Sequence, residues 1–391
     1  MKEIKLPFSV KRPVLATGAQ TKNTVCFVRQ DTAYVGSLHA DLSNPKDFSD
    51  FEKEIKYFLR KKPAVIASDL HPEYSSSKYA QEVVLKCSSS KSSEDRQGVR
   101  VSKIQHHHAH IASCMIENGL KNQLVIGVAF DGTGLGPDNT LWGAEFLISD
   151  YRNFIRAAHL KEIALIGGET AILEPWRLLA ALNLDMPKGL NKKQWRLVKN
   201  MQAKGFNSPK ASSMGRLFDA AGSLILGKFR ANFEAELAIE LERIAFSFSR
   251  QAMSGEAGSR PDHLHRGAGQ PRGTSYTFKI EKNKEQYIID PEAIFRGIIK
   301  DMKAKVAKPE IAYRFHLTVA QMIRKICLIL RKKYKTNKVV LSGGVFQNNL
   351  ILRLALDLLY KEDFKVFIHK KLSCNDSGLS LGQAVIAGVR S

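Results

Sequence analysis

Two stretches of this 391-residue chain share one plan, an apolar strand that leads into a glycine-containing segment and then into more strand sequence. In the first, residues 14–18 form an apolar strand ending in glycine, and the β-rich sequence up to residue 35 is interpreted as a hairpin. In the second, the continuous apolar run 124–130 predicts a buried strand that turns at 131–134 and returns over 142–148. Because helix-forming sequence follows each opening, we expect an α/β protein with two lobes and a cleft between them.

The rest of the chain continues this alternation. Helices are predicted over 47–60, 105–118 and 315–335, and a glycine-rich turn with a helix over 375–387. Short strands are predicted over 64–67, 338–341 and 366–368, and polar loops over 88–97 and 254–274. We place the first lobe at 12–122 and the second at 123–391, with mostly helical insertions at about 150–250 and a flexible loop at 254–274. The last helix is a candidate to return to the first lobe.

Charge and cysteine content limit the class of protein. The chain carries 60 Lys and Arg against 38 Asp and Glu, a formal net charge of +22, with basic segments at 188–230 and 324–338. Such segments bind nucleic acid, acidic proteins or phosphorylated ligands, or are simply solvated; nucleic acid is the less favoured partner, because no aromatic residues are interleaved to stack bases. The five scattered cysteines, the lack of an apolar run of about 18 residues and the lack of a signal-peptide core predict a cytoplasmic protein without a membrane span.

The most informative motif is Gln105-His-His-His-Ala-His110. His106 and His110 are four residues apart on the predicted helix, so both imidazoles lie on one face and can bind one metal ion. His107 and His110 are an alternative pair at a spacing of three. Four of the eleven histidines fall in this segment, which favours a metal site over a polar helix start, although nothing local identifies the acidic ligands.

Three further segments place polar residues after strands or at a helix start. Asp131-Gly-Thr-Gly134 has glycines that let backbone N–H groups approach a phosphate, and an Asp that can hold a metal ion. Ser342-Gly-Gly-Val-Phe-Gln-Asn348 can open a nucleotide pocket, with Asn348 bonding a sugar or base edge, or can be a tight connection. Asp376 in Asn375-Asp-Ser-Gly378 is either a helix N-cap or a metal ligand delivered from the other lobe.

Two weaker signals accompany these segments. Lys22 lies after the first strand as a basic group for the cleft, and Met214-Gly-Arg-Leu-Phe-Asp219 begins a helix with a basic and an acidic residue. Taken alone, these are an ordinary loop lysine and an ordinary helix start.

Together, and in this order, the segments resemble the motifs of the hydrogenase-maturation carbamoyltransferases (HypF). The segments are QHHHAH (105–110), DGTG followed by WGAEF (142–146), EPWR (174–177), SSMGRLFDA (212–220), LSGGVFQN (341–348) and NDSGLSLGQA (375–384), preceded by RPVLATGAQTKNT (12–24) and DLHPEY (69–74). The similarity is to the C-terminal transferase part of these proteins and spans roughly residues 12–388.

The resemblance implies a fold of the actin-like ATPase superfamily, with two ribonuclease-H-like lobes around a nucleotide and metal cleft. It also implies kinship with tRNA threonylcarbamoyl transferases and O-carbamoyltransferases. A divalent metal, Fe or Zn, is then held by His106, His110, Asp131 and Asp376. The implied nucleotide-binding residues are Gly132, Thr133, Gly134, Gly343, Gly344 and Asn348, and the implied catalytic residues are Lys22, Asp131 and Asp219.

The implied activity is carbamoyl transfer from carbamoyl-adenylate, which derives from ATP and carbamoyl phosphate, to the C-terminal cysteine of a partner maturation protein. This reaction belongs to the synthesis of the cyanide ligands of nickel–iron hydrogenase. AMP or ATP is expected in the same cleft. Because the chain lacks the acylphosphatase-like, zinc and YrdC-like parts of full-length members, we expect a separate YrdC-like protein to supply the adenylate.

Three positions depart from the family pattern. Ala144 stands where WGGE is typical, Ala235 stands where a glycine is typical, and Ser377 stands where a second glycine is typical. These changes favour, as one alternative, a degenerate or scaffold paralogue without turnover. The basic charge favours, as another, a tRNA-modifying transferase of the threonylcarbamoyl type.

Overall fold

The computed structural model describes residues 1–89, 99–254 and 274–391. Most of the two predicted polar loops, 88–97 and 254–274, lies outside the described residues. The chain forms two compact units, the first made of residues 1–157, 329–347 and 363–391 and the second of residues 158–328 and 348–362. The predicted lobe boundary near residue 122 is a different division of the chain and stays a prediction.

The elements are numbered in chain order. The strands are β1 (Lys2–Ala16), β2 (Thr21–Asn23), β3 (Cys26–Val35), β4 (His39–Asp41), β5 (Val65–Asp69), β6 (Arg100–Ile104), β7 (Val125–Leu135), β8 (Leu141–Ser149), β9 (Phe154–Leu160), β10 (Ile163–Ala164), β11 (Lys210–Ser213), β12 (Lys279–Asn283), β13 (Gln286–Asp290), β14 (Lys338–Ser342) and β15 (Lys365–Phe367). The helices are α1 (Pro45–Leu59), α2 (Ser75–Ser89), α3 (His106–Glu117), α4 (Thr170–Leu173), α5 (Trp176–Ala181), α6 (Lys192–Ala203), α7 (Met214–Leu226), α8 (Glu236–Ser254), α9 (Glu292–Lys303), α10 (Lys308–Tyr334), α11 (Asn349–Tyr360) and α12 (Leu379–Arg390). Short 3₁₀ turns span Gly344–Gln347 and Asp376–Gly378.

One sheet of the first unit has the strand order β3-β1-β5-β6. Strand β1 is antiparallel to β3 and parallel to β5, which is parallel to β6. Helix α1 lies on one face of this sheet, because its buried residues Phe51, Ile55 and Phe58 recur at spacings of three and four and share a core cluster with Leu15 of β1. The neighbouring residues of β1, Val14 and Ala16, belong to a different cluster, since successive side chains of a strand point to opposite faces.

Within the first unit, the strands of a second, larger sheet follow the order β9-β8-β7-β14-β15. Strands β7 and β8 form an antiparallel hairpin, whereas β14 is parallel to both β7 and β15. Ser342, the last residue of β14, is paired with Ala129 of β7. The carboxyl end of β14 therefore lies beside the middle of β7, two residues before Asp131.

Helices α3 and α12 pack against each other between the two sheets. Helix α12 contacts β1, β3 and β5, and α3 contacts β7, β8 and β14. Ile111 and Met115 of α3 and Leu381 and Val385 of α12 are fully buried in one shared core cluster. The last helix of the chain thus packs on the sheet that contains the first strand.

The second unit is mostly helical. The region 150–250 contains helices α4 to α8 together with strands β9, β10 and β11. Strands β10 and β11 pair with each other, β12 and β13 form a hairpin, and β13 runs parallel to residues 158–160 of β9. None of the helices in the described ranges is both long and apolar enough to cross a membrane.

The predicted hairpin within residues 24–35 is wrong, because β3 is one strand of ten residues. The polar residues that suggested a turn, Arg29, Gln30 and Asp31, are exposed along a strand at the edge of its sheet. Gln30 has a φ of 54°, and the pairing register with β1 shifts beside it. A bulge at a sheet edge therefore accommodates a polar run that local sequence cannot distinguish from a turn.

The predicted turn at 131–134 is also wrong, since these residues continue β7. The register with β8 shifts between Phe130 and Gly134, and the chain reverses only at 136–140, where Gly136 N–H donates to Thr140 O at 2.8 Å. Asp138 fixes that later turn by accepting hydrogen bonds from Thr140 N–H at 3.1 Å and from Trp142 Nε1–H at 3.0 Å. The DGTG segment is an irregularity inside a strand.

Candidate metal centre

The histidine motif forms the first turn of α3, and this turn is buried. Gln105 is the N-cap, and its side-chain oxygen accepts a hydrogen bond from His108 N–H at 2.8 Å. All four histidines of the motif, residues 106–108 and 110, are fully buried. The motif is therefore an internal feature of the first unit rather than a solvated helix start.

Four side chains predicted as metal ligands converge at this turn. Candidate ligand atoms of His106, His110, Asp131 and Asp376 all lie within 4.8 Å of one another. The distances from Asp131 Oδ2 are 3.3 Å to His106 Nε2 and 3.1 Å to His110 Nε2. Asp376 Oδ1 lies 3.6 Å and 3.5 Å from the same two nitrogens. The geometry brings the predicted set together.

The charges in this cluster favour a cation. Burial alone would lower the pKa of both histidines, but the surrounding carboxylates, Asp69 among them, raise the pKa of His106 well above its ordinary value and also raise that of His110. Burial would raise the pKa of Asp131, yet hydrogen bonds from both histidines hold it well below its ordinary value. Burial and the neighbouring Asp131 would raise the pKa of Asp376, but the two histidines lower it to about 2. The carboxylates stay ionised, so they attract either protons on the imidazoles or a divalent ion.

Asp69 is a member of this site that sequence reasoning missed. It ends β5, and its Oδ2 accepts a hydrogen bond from His106 Nδ1 at 2.8 Å, with both side chains fully buried. Because this bond places a proton on Nδ1, Nε2 is the ring atom of His106 that faces Asp131 and Asp376. Nε2 either donates a proton to these carboxylates or, once deprotonated, binds a metal ion. A carboxylate behind the ring is the usual support of a metal-binding histidine. The available signal is that Asp69, like Asp131, closely follows a predicted strand.

The donor set fits a divalent ion of the Fe or Zn type. Two imidazole nitrogens and two carboxylate oxygens are ligands that these ions accept. Nε2 of His106 and Nε2 of His110 both lie beside two ionised carboxylates, an arrangement that needs positive charge, either as protons on the rings or as a bound cation. The residues present therefore suit the predicted metal, and the identity of the ion stays a prediction.

Two glycines let the elements of the site approach one another. A Cβ at Gly382 of α12 would lie 1.9 Å from the carbonyl oxygen of Ala109 on α3, so the helices touch backbone to backbone beside His110. Gly343, with a φ of 102°, follows β14, and a Cβ there would lie 2.2 Å from Phe130 O. A larger residue at either position would push apart elements that carry the ligands.

The predicted nucleotide-binding glycines after β14 already have hydrogen-bond acceptors. Gly343 N–H donates to Cys374 O at 3.0 Å, and Gly344 N–H donates to Asp131 Oδ1 at 3.0 Å. These two N–H groups thus organise the acidic side of the cluster. Their role in nucleotide binding stays a prediction.

The other predicted residues of the first unit lie near the same cluster. Gly132 and Thr133 are half-buried in the irregular part of β7, and a Cβ at Gly134 would lie 2.8 Å from the His106 ring. Lys22 is exposed on β2. The segment of Lys22 is tied to the Asp376 turn, since Thr24 Oγ1 donates to Ser377 O at 2.9 Å.

Asp219 and Asn348 belong to the second unit. Asp219 lies 2.9 Å from Arg216 Nε in a buried ion pair, and burial nevertheless raises the pKa of Asp219 to about 6. Asn348 is the N-cap of α11: its Oδ1 accepts from Ile351 N–H, and its Nδ2 donates to His316 Nε2, both at 3.0 Å. These contacts give both residues a structural role, while their catalytic and nucleotide-binding roles stay predictions.

Comparison with known families covers most of the chain. The family described as HypF Kae1-like domain matches residues 9–117. The family described as carbamoyltransferase, Kae1-like domain, second subdomain, matches residues 127–383. The predicted fold class, an α/β protein of the actin-like ATPase superfamily, is confirmed.

Curated relatives agree with these matches. Carbamoyltransferase HypF2 of Cupriavidus necator is 32% identical over 96% of this chain and 46% of the relative. Carbamoyltransferase HypF of Rhodobacter capsulatus is 30% identical over 98% of this chain and 48% of the relative. A carbamoyltransferase HypF homolog of Cupriavidus necator is 30% identical over 96% of this chain and 91% of the relative. The chain thus spans about half the length of the first two relatives and most of the third.

Solved structures show the same fold. A crystal structure of full-length HypF in the phosphate- and nucleotide-bound form is 35% identical, with a TM-score of 0.83 over 99% of this chain and 57% of that chain. A crystal structure of HypF from T. kodakarensis is 27% identical, with a TM-score of 0.78 over 99% of this chain and 48% of that chain. The chain therefore belongs to the HypF carbamoyltransferase family and corresponds to its Kae1-like part.

Proposed function

We propose that this chain moves a carbamoyl group from carbamoyl-adenylate to the C-terminal cysteine of a partner maturation protein, in the synthesis of the cyanide ligands of nickel–iron hydrogenase. The observation that carries the proposal is the buried cluster of His106, His110, Asp131 and Asp376 in a chain of the carbamoyltransferase family. The chain spans about half the length of two of the relatives above. That it shares the activity of these longer proteins is therefore part of this proposal.

In this proposal the four clustered residues hold a divalent ion, Fe or Zn. When bound, such an ion supplies Lewis-acid stabilisation of negative charge on a phosphate or carbonyl oxygen. The contribution of the protein is to keep Asp131 and Asp376 ionised inside a buried site and to hold the His106 ring through Asp69. A preorganised site of this kind needs little rearrangement when the substrate arrives.

The transfer step needs a nucleophile from outside the chain. The thiolate sulfur of the acceptor forms a bond to the carbamoyl carbon, the bond from that carbon to the AMP oxygen breaks, and AMP leaves with the electron pair. Cys26, Cys114 and Cys327 are buried, which suits an external acceptor. Lys22 is exposed and cationic, so we assign it to offset the charge of the departing AMP, and we assign Asp219 a catalytic role together with its ion pair to Arg216.

The donor in this proposal comes from a separate YrdC-like protein. A solved relative with phosphate and nucleotide bound supports a nucleotide site in the family. We assign Gly132, Thr133 and Gly134 to the phosphates of the adenylate, because they directly follow the ligand Asp131 along β7.

The test is a transfer assay with the full 391-residue chain. The chain is incubated with ATP, carbamoyl phosphate, a YrdC-like protein and a synthetic peptide that ends in cysteine. The mass of the peptide is then measured by mass spectrometry. We expect a mass gain of one carbamoyl group, and loss of this gain with Asp376→Asn. Asp31→Asn is the matched control, since Asp31 pairs with Lys5 on an exposed edge, and a peptide that ends in serine controls for the acceptor.

One observation favours the scaffold alternative. Ala235, which stands where the family typically has glycine, has a φ of 66°, a conformation that costs a residue with a Cβ about 1–2 kcal/mol. Ser377 and Ala144 have no such strain. A peptide that stays unmodified while the chain holds its metal would contradict the transferase proposal and support a scaffold, and modification of tRNA in place of the peptide would support the threonylcarbamoyl-type alternative.

A further inference from the structure

A single side chain holds the segment that leads to Asp376 on the last turn of α3. Glu117, the last residue of α3, has a carboxylate whose Oε2 accepts three backbone hydrogen bonds. The donors are the N–H groups of residues 370, 371 and 372, at 2.9, 2.6 and 3.1 Å. Three N–H groups on one carboxylate oxygen fix the position of this backbone closely.

The other oxygen of the same carboxylate is connected to Ser342 by hydrogen bonds through His369. Glu117 Oε1 lies 2.6 Å from His369 Nδ1, and His369 Nε2 lies 2.8 Å from Ser342 Oγ. His369 Nδ1–H donates a hydrogen bond to the carboxylate, so Nε2 of His369 accepts a hydrogen bond from the Ser342 hydroxyl. Burial would raise the pKa of Glu117, but the hydrogen bonds from His369 and the backbone hold it below its ordinary value.

These are the residue types of a hydrolase triad, but the arrangement is closed. Ser342 is fully buried. The N–H groups of Gly343 and Gly344, which follow it, already donate to Cys374 O and Asp131 Oδ1. A substrate carbonyl would find neither the hydroxyl nor this pair of N–H groups, so the array connects elements rather than attacking a substrate.

The elements that it connects are those that carry the metal ligands. Glu117 is on α3, which also carries His106 and His110, at about 16 Å and about 10 Å along the helix. Ser342 ends β14, beside the strand that carries Asp131. Residues 369–372 are followed after four positions by Asp376. The array therefore joins the three segments whose relative placement defines the cluster.

We propose that Glu117 and His369 are positioning residues that set the approach of Asp376 to the two histidines, and thereby the affinity of the site for its metal. The inference rests on the proposed function in so far as it assumes the four-ligand site. Neither residue is among the proposed metal ligands, so the competing explanation is that both only stabilise the fold. The test must separate an effect on metal affinity from an effect on stability.

The chain offers a matched control in Glu54 of α1. Glu54 accepts a hydrogen bond from His39 Nε2 and one from Ser37 N–H, both at 3.0 Å. It thus joins a histidine and a backbone segment as Glu117 does, but its helix packs on the face of the first sheet opposite to the α3 and α12 core. Glu54→Ala removes a comparable contact without touching the segments that carry the ligands.

The first measurement is the affinity of the full chain for Co²⁺, by competition with a chelator, with the cobalt absorption spectrum as a report of the ligand set. We expect Glu117→Ala to weaken Co²⁺ binding about 10–100-fold, the usual effect of removing a group behind the ligands, and to change the spectrum. Glu117→Gln, which keeps an oxygen acceptor for residues 370–372, should recover most of the affinity, and Glu54→Ala should bind like the unchanged chain. Equal affinities of Glu117→Ala and Glu54→Ala would overturn the proposal.

The second measurement needs no metal. The N–H of Gly343 donates to Cys374 O, and the N–H of Gly378 donates to Asn375 O, both at 3.0 Å. We expect both amides to exchange with deuterium faster in Glu117→Ala than in Glu54→Ala, and equal exchange would overturn the proposal. If the unchanged chain bound no Co²⁺, the proposed function would fail, whereas this exchange would still decide the role of Glu117. If Glu117→Ala does not fold, His369→Ala is compared with His39→Ala in its place, because each removes the histidine that contacts one of the two glutamates.

Discussion

Replacing Gly382 by alanine tests whether the backbone contact between α3 and α12 sets the metal site. The new Cβ would lie 1.9 Å from Ala109 O and 2.6 Å from the carbonyl carbon of the same residue. An ordinary contact needs 3.4 Å or more, so the two helices must separate by about 1.5 Å, the difference between 3.4 and 1.9 Å. The obstacle is the backbone of a buried helix, which cannot rotate away as a side chain can.

The free energy of unfolding should fall by about 2 kcal/mol. Overpacking of a core costs about 1–3 kcal/mol, and a backbone obstacle belongs at the upper end. Alanine favours the helix over glycine by about 1 kcal/mol, and this gain offsets part of the overpacking cost. The effect on metal binding should be larger, because metal–ligand distances are held within about 0.2 Å, and a shift of about 1.5 Å separates His110 from Asp376.

The assay is urea unfolding of the metal-free chain together with a Zn²⁺ titration of the folded chain. Gly388→Ala is the matched control, because it lies on the same helix and the three atoms nearest to its Cβ would be side-chain atoms of Val10 and Val14, the nearest at 2.6 Å. The reasoning is refuted if Gly382→Ala unfolds within about 0.5 kcal/mol of the unchanged chain, or if it binds Zn²⁺ as tightly as Gly388→Ala does.

Three further substitutions test other parts of the account. Asp69→Asn should weaken Zn²⁺ binding about 10–100-fold in a chelator competition, because a neutral amide supports the His106 ring less well than a carboxylate; unchanged affinity would count against the role of Asp69. Ala235→Gly should raise the free energy of unfolding in urea by about 1 kcal/mol, because it relieves a φ of 66°, and a loss of stability would contradict this. Burial lowers the pKa of His316 to about 4, whereas an unfolded histidine has a pKa near 6.5. As the pH drops from about 6.5 to 4, the unfolded chain therefore binds a proton that the folded chain does not. The free energy of unfolding should fall by up to about 3 kcal/mol over this range. His316→Gln should make that fall shallower in urea unfolding at a series of pH values, and an identical pH profile would exclude the explanation.

The part of the site that could be predicted is the part that depends on local periodicity. A spacing of four on a helix places His106 and His110 on one face, and the structure brings both beside Asp131. The set of acidic ligands came from the resemblance to a family, because Asp131 and Asp376 are 245 positions apart in the chain. No local pattern says which strand end and which helix start will meet.

The parts that were missed depend on contacts between distant segments. Glu117 lies in no distinctive local motif, and the DLHPEY segment that Asp69 begins does not say what its carboxylate contacts. The roles of both residues follow only from the placement of β5, α3 and residues 369–372 in one unit. The turn predicted at 131–134 failed for a different reason. Glycine and aspartate favour both turns and strand irregularities, and Asp138, a few residues later, fixes the actual reversal of the chain.

The most direct test of the central claim is to locate the metal by anomalous X-ray scattering, using crystals of the chain grown with Zn²⁺ and data collected at the zinc absorption edge. The account predicts one peak at about 2.0–2.2 Å from His106 Nε2, His110 Nε2 and one carboxylate oxygen each of Asp131 and Asp376. A peak bound elsewhere, or no peak among these four side chains in crystals grown with excess Zn²⁺, would contradict it.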